Sequence, residues 1–211
     1  MSPRRHVRVY IEGGAAGKTA DADFRRAWKK FLQELHEIAR SCGYQSLEVV
    51  RGKGRGRAFS LFRSSPRSHP KDLCVLLADS ESEVCDGAQV WKTVEARDGD
   101  NWQRPSWATE KHLYLMVVMA ETWLLTDTQA LSNYFKGGFN VACLPTVNLE
   151  GRSKREIEQA LVKATSGCGS RRYRHGQANE IIEFVRPERV KCLKYGARLF
   201  EELRSLIESQ G

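Results

Sequence analysis

Glu12, Asp79 and Glu81 are the residues whose types and positions best suit chemistry, because they stand where apolar runs end. Glu12 closes VRVYI and precedes Gly13 and Gly14, while Asp79, Ser80 and Glu81 close LCVLLA. Hard divalent cations take oxygen ligands and keep several waters, so two or three carboxylates on one edge can hold one beside a phosphate. Such a metal polarises a phosphodiester and stabilises the leaving oxygen, while a remaining carboxylate moves protons. The competing reading is structural: strand-terminal acids also cap the helices that follow.

The segment from Glu12 to Thr19 also has the look of a phosphate-binding loop, since it ends in Gly17-Lys18-Thr19. That loop requires Gly, four residues, then Gly-Lys-Ser/Thr. Glu12 occupies the place of the first glycine, and counting from Gly13 leaves the loop one residue short. A carboxylate there repels phosphate, so the match fails.

A further acidic pair, Glu121 and Asp127, lies in AETWLLTD. On one straight helix they are separated by roughly 600° and point to different faces. Trp123, Leu124 and Leu125 between them read as core. Cationic residues gather in two glycine-containing segments: Arg51, Lys53, Arg55 and Arg57 in RGKGRGR, and Arg171, Arg172, Arg174 and His175 around Tyr173. Flexible cationic loops beside a metal suit a phosphate backbone, with Arg55 and Arg174 the candidates for gripping it; the alternative is a pair of solvated loops. His175 can assist proton transfer or be structural. Lys163 in LVKATSG can reach a site or face solvent at a helix end. Trp91, Trp102 and Trp107 either stack bases or, as large loops more often do, pin their loop to the core.

Elements of a parallel α/β sheet would bring the acids together. Val7, Val9 and Ile11 alternate with Arg8 and Tyr10 as in a strand, and Phe24, Trp28, Phe31, Leu32, Leu35, Ile38 and Ala39 form a helical stripe ending at Gly43. Leu47, Val49 and Val50 make a second strand, Ala58 to Phe62 a short helix, and Leu73 to Ala78 a strand covered on both faces. Strands separated by crossovers imply a parallel sheet flanked by helices, with sites at the strands' carboxyl ends. Adjacent first and third strands would bring the three carboxylates to one edge. The connection from Val84 to Thr109 is long enough to hide structure. HLYLMVVM follows as a fourth strand, AETWLLTDTQALSNYF as a helix or helix pair, and helices are predicted over Ser153 to Thr165, Ala178 to Val185 and Tyr195 to Ile207. The expected organisation is a core over 1–150 and a helical C-terminal extension over 151–211.

A length of 211 residues supports one substantial core. With 41% hydrophobic and 28% charged residues, the composition is that of an ordinary globular protein. The longest apolar run, Leu113 to Ala120, is too short to span a bilayer, and no signal-peptide core opens the chain, so a cytoplasmic location is expected. Six cysteines without a C-x-x-C pair read as reduced, buried thiols. A net charge of +8 suits a polyanionic partner.

The segments VYIEGG, GRGRAF, VLLADSE, HLYLMVVMAETWLLTD and YRHG, in that order, resemble a Toprim-like family often encoded beside an ABC-type or AAA ATPase in anti-phage defence loci. The Toprim fold is shared by topoisomerases, primases and the overcoming-lysogenization-defect nucleases, and the resemblance spans nearly the whole chain. It implies a core of four parallel strands and a toxic nuclease effector acting on DNA or RNA with magnesium or manganese. Glu12 is then the candidate acid/base, Asp79 and Glu81 the metal ligands, and Glu121 a further site residue. A partner ATPase would restrain the activity. The usual Asp-x-Asp of that fold reads Asp79-Ser80-Glu81 here, which keeps open the alternative of a non-catalytic adaptor of the ATPase.

Overall fold

The computed structural model describes residues 5–13, 20–85, 87–100 and 102–211. Lys18 and Thr19 of the phosphate-loop look-alike lie outside them. Strands β1 (Val7–Ile11), β2 (Leu47–Arg51), β3 (Leu73–Asp79) and β4 (Leu113–Met116) form one sheet in the order β2-β1-β3-β4. All three pairings are parallel, and β1 lies directly against β3 with Ile11 opposite Leu77. The expected four-stranded parallel α/β architecture, with a helical C-terminal region, is therefore present.

Helices α1 (Ala20–Phe31) and α2 (Gln33–Ser41) connect β1 to β2, and α3 (Arg55–Ser68) connects β2 to β3. These crossovers step in opposite directions across the sheet, so the right-handed rule puts α1 and α2 on one face and α3 on the other. The stripe from Phe24 to Ala39 is thus divided at Leu32 rather than continuous, although Leu32 N–H still donates to the Trp28 carbonyl at 2.9 Å. Helix α3 is longer than the expected Ala58 to Phe62 segment. Gly54, with φ of +116°, makes the turn, and the chain is already helical at Arg55, so Arg55 and Arg57 lie on a helix and not in a loop.

Each face of the sheet has an aromatic core. On one, Phe31 of α1 lies 5.8 Å from Trp123 and 5.6 Å from Phe200, the latter on α10 (Lys194–Gln210). On the other, Phe59 stacks on Trp102 at 4.6 Å, and Phe62 packs on Trp91 and Trp107. The long connection is therefore pinned by its tryptophans, Trp91 and Trp102 being only 2% exposed, and these rings are not free to stack on bases. It holds α4 (Val90–Glu95). Strand β3 is buried from Leu73 to Ala78, as its unbroken apolar run requires.

The expected helix pair after β4 is α5 (Ala120–Leu124) and α6 (Thr128–Phe135). Beyond it come α7 (Lys154–Ala164), with a Ser153/Glu156 capping box, then the short α8 (Ala178–Ile181) and α9 (Pro187–Val190), before α10 packs on α2 and β4. The six cysteines are all free, but only Cys74 and Cys168 are buried; Cys85 and Cys192 are exposed, contrary to the buried-thiol expectation. Among the described residues no helix is long and apolar enough to cross a membrane.

Gly13 has a steric reason. A Cβ built there would fall 2.6 Å from the buried ring of Phe24. Gly13→Ala is expected to cost about 1–3 kcal/mol through overpacking, read as a lower urea midpoint at unchanged slope, and Phe24→Leu in the same chain should recover part of it.

Candidate metal centre

Backbone pairing carries the acids to one edge. Glu12 follows the last residue of β1, and its N–H still donates to Leu77 of β3 at 3.1 Å. Asp79 ends β3 opposite Met116 of β4. Ser80 N–H donates to the Met116 carbonyl at 3.0 Å and Glu81 N–H to the Val118 carbonyl at 2.8 Å, so β3 is steered along the β4 exit; Glu81 has a φ of +71°. Glu12, Asp79 and Glu81 each place a carboxylate oxygen so that all lie within 4.8 Å of one another. This is the group of carboxylates in the described chain that could hold a metal ion.

Three acids this close repel one another, and their surroundings record it. Burial, followed by the charges of Glu12, Glu121 and Glu81, holds the Asp79 carboxyl well above the usual carboxylate range. Burial and then the Glu81 charge also push Glu12 up, although Arg55 pulls against them. Asp79 Oδ1 is buried without a hydrogen-bond partner. Leaving such an atom unpaired is costly, and a hard cation is the partner that its lone pairs and two neighbouring carboxylates fit. An all-oxygen donor set suits magnesium or manganese rather than a thiolate-seeking metal.

Cations from three separate elements offset part of the charge. Arg55, at the start of α3, reaches Glu12 Oε2 at 3.2 Å, donates to the Asp79 carbonyl, and forks onto Asp100 at 2.8 and 2.9 Å with its guanidinium over the Trp102 ring. Burial disfavours its charge, but Asp100 and Glu12 outweigh that and raise its pKa. Arg97 bridges Asp100 at 2.7 Å and Glu81 at 3.3 Å, and Lys154, at the first position of α7, also binds Glu81 Oε2.

The remaining predicted residues fall in different places. Glu121, 4% exposed at the first turn of α5, accepts from the Tyr173 hydroxyl at 2.7 Å, and its charge acts on Asp79. Asp127 instead caps α6 through Ala130 N–H and pairs with Arg186, away from that role. Arg51 pairs with Asp21 at 2.7 Å beneath Phe24. His175 is exposed and pairs with Glu158 at 2.8 Å. Lys163 is exposed on α7, nine residues beyond Lys154, and among the described residues makes no ion pair with the three carboxylates. Arg174 lines a separate cleft.

Sequence reasoning missed Arg97, Asp100, Lys154 and Tyr173. The EARDGD tract and the YRHG segment hold three of them, but nothing local marks Lys154. Burial and then the Glu121 carboxylate hold the Tyr173 hydroxyl above its ordinary pKa, so it remains a donor. Tyr173→Phe is expected to destabilise by about 1–3 kcal/mol, measured by chemical unfolding, because a buried carboxylate loses its donor.

No family model and no curated protein matches the chain. Among solved structures, the C-terminal region of the Burkholderia pseudomallei OLD protein is similar to it over 98% of this chain and 100% of that chain, at 12% identity and a TM-score of 0.49.

Proposed function

We propose that this protein is a metal-dependent nuclease that hydrolyses phosphodiester bonds in DNA or RNA. The observation that carries the reading is the convergence of Glu12, Asp79 and Glu81 at the carboxyl edge of a parallel sheet, with Asp79 Oδ1 buried and unpartnered. Asp79 and Glu81, with Glu12, would hold a magnesium or manganese ion. When bound, such an ion supplies Lewis acidity at a phosphoryl oxygen and a water of lowered pKa.

The chain's own groups have separable tasks. Glu12, its pKa raised by burial and by Glu81, is suited to take and return a proton, and Arg55 fixes its Oε2. Glu121, held by Tyr173, adds negative charge beside Asp79, which a bound cation would offset. Arg97 and Lys154 are the cations positioned to meet phosphate charge where they now meet Glu81. In keeping with the family resemblance, the activity serves anti-phage defence as a cytoplasmic toxin restrained by an ABC-type or AAA ATPase partner.

A second reading, a non-catalytic adaptor of that ATPase, draws on one observation: Glu12 and Glu81 are already ion-paired within the chain, and Glu81 replaces the usual Asp. Cleavage of plasmid and tRNA in magnesium or manganese, with and without the ATPase, separates them. Metal-dependent cleavage lost in both Glu12→Ala and Asp79→Ala supports the nuclease. Absence of cleavage under every condition, with the ATPase still bound, selects the adaptor.

A further inference from the structure

The arginines at the acidic centre, and several elsewhere in the described chain, are paired with acids. Arg8, Arg51, Arg55, Arg97 and Arg186 pair with Asp72, Asp21, Asp100 or Glu12, Asp100 or Glu81, and Asp127 respectively. Lys136, Arg171 and Arg174 line a cleft of about 360 Å³ together with Tyr134, Ser170 and Gln177. Among the described residues none of these three cations forms a salt bridge with a carboxylate, and Glu180 instead accepts from the Tyr134 hydroxyl at 3.3 Å.

The cleft is constructed by backbone contact rather than by chance proximity of two loose loops. Lys136 ends α6 with a φ of +60° and leads into Gly138, which lies so close to Gly167 that a Cβ there would be 2.1 Å from the Gly167 carbonyl oxygen. That approach clamps the 136–138 turn onto the segment carrying the two arginines. Gln177 Oε1 holds the Arg174 N–H at 2.7 Å, and the Arg174 guanidinium touches the Ser170 carbonyl at 3.5 Å. Between the arginines, Tyr173 turns inward, buried, to bind Glu121 beside the acidic centre.

We infer that this cleft is a phosphate subsite that holds a nucleic-acid strand on one flank of the acidic centre, Lys136, Arg171 and Arg174 taking the backbone oxyanions. The inference rests on the nuclease reading and adds a binding surface that its chemistry does not require. Three uncompensated cations converging on a nucleotide-sized space offer a phosphate what water cannot, release of its counterions on contact. Tyr173 makes the placement relevant, because the chain segment that grips the strand is the one that holds Glu121.

The test is fluorescence anisotropy with a short fluorescein-labelled single strand, DNA or RNA, in EDTA across a salt series. Wild-type protein is compared with Lys136→Ala/Arg171→Ala/Arg174→Ala and with Lys71→Ala, an exposed cation just before β3, at the opposite end of the sheet. The triple variant is expected to bind roughly 10- to 100-fold more weakly at low salt and to lower the slope of log K against log salt by about 2, with Lys71→Ala unchanged. Melting temperature and manganese binding by calorimetry serve as the folding controls. Strand binding by the wild type with an unaltered slope in the triple variant overturns the cleft alone. Failure of the wild type to bind or cleave any strand overturns the nuclease reading with it. Inorganic phosphate that binds the wild type, is lost in the triple variant and is not displaced by a strand assigns the cleft to a free anion and overturns the strand.

Discussion

Asp79→Asn should abolish manganese binding and lower metal-dependent cleavage by at least roughly 10²–10³-fold, while making the metal-free protein more stable at pH 8. The two effects have one cause. Asp79 lies among Glu12, Glu81 and Glu121 with an unpartnered buried oxygen, so its charge is costly without a cation and valuable with one. Its carboxyl, like that of Glu12, is shifted upward in the fold, so between about pH 4 and the raised values the folded chain holds protons that the unfolded chain releases. Stability from these groups is therefore full at acid pH and lost as pH rises through the folded values. Metal binding runs the other way, because the ligands must be ionised. Thermal unfolding from pH 5 to pH 8 in EDTA should show a declining contribution in the wild type that Asp79→Asn flattens, with a gain of roughly 2–8 °C at the upper end for about 1–2 kcal/mol. Added manganese should raise the wild-type melting temperature and leave the variant unmoved. Protection by manganese that survives in Asp79→Asn would show that this carboxylate is no ligand.

Arg55→Ala is expected to be the most destabilising of the charge changes, by about 3–5 kcal/mol and roughly 6–20 °C in melting temperature. Arg55 is 11% exposed and sits between Glu12, Asp100 and the Asp79 carbonyl, with Trp102 beneath it. Removing it strips Glu12 of its ion-pair partner, leaves the poorly hydrated Asp100 with Arg97 alone, and takes a donor from the Asp79 carbonyl. Burial opposes the Asp100 charge, but hydrogen bonds from Arg55 and Arg97 outweigh it and lower its pKa, so its contribution is present above about pH 4 and lost on acidification below that. Arg55→Lys should recover little, since an ammonium cannot fork onto Asp100 and reach Glu12 together. Arg55→Ala with Asp100→Asn should recover a clear part of the loss, because the stranded acid is gone. Calorimetric unfolding of the four proteins measures this, and a melting temperature within a degree or two of wild type for Arg55→Ala would refute the role of Arg55 as the keystone of the cluster.

These two residues differ in how visible they are before folding. Asp79 was legible because its signal is local: an unbroken apolar run followed at once by acids marks the carboxyl end of a buried strand. Arg55 was legible only as a cation. Its place in a glycine-rich tract suggested a mobile loop open to phosphate, whereas Gly54 starts a helix there and aims the side chain inward at the acids. On α7 the same limit favoured Lys163, yet Lys154, at the helix start, is the lysine on Glu81. The tryptophans of the long connection were read correctly as anchors, since rings that large rarely stay in water when a neighbouring helix offers Phe59 and Phe62.

The sequence by itself determined the strands, the main helices, the parallel sheet and the acids at its carboxyl edge, since apolar periodicity and run length are set by neighbours along the chain. Only the tertiary structure decided that β1 lies against β3, that Lys154, Arg97 and Arg55 meet those acids, and that Lys136 joins Arg171 and Arg174. Those encounters join residues far apart in sequence. They depend on strand order, on where each helix begins and on the close approach of Gly138 to Gly167, which no local pattern encodes.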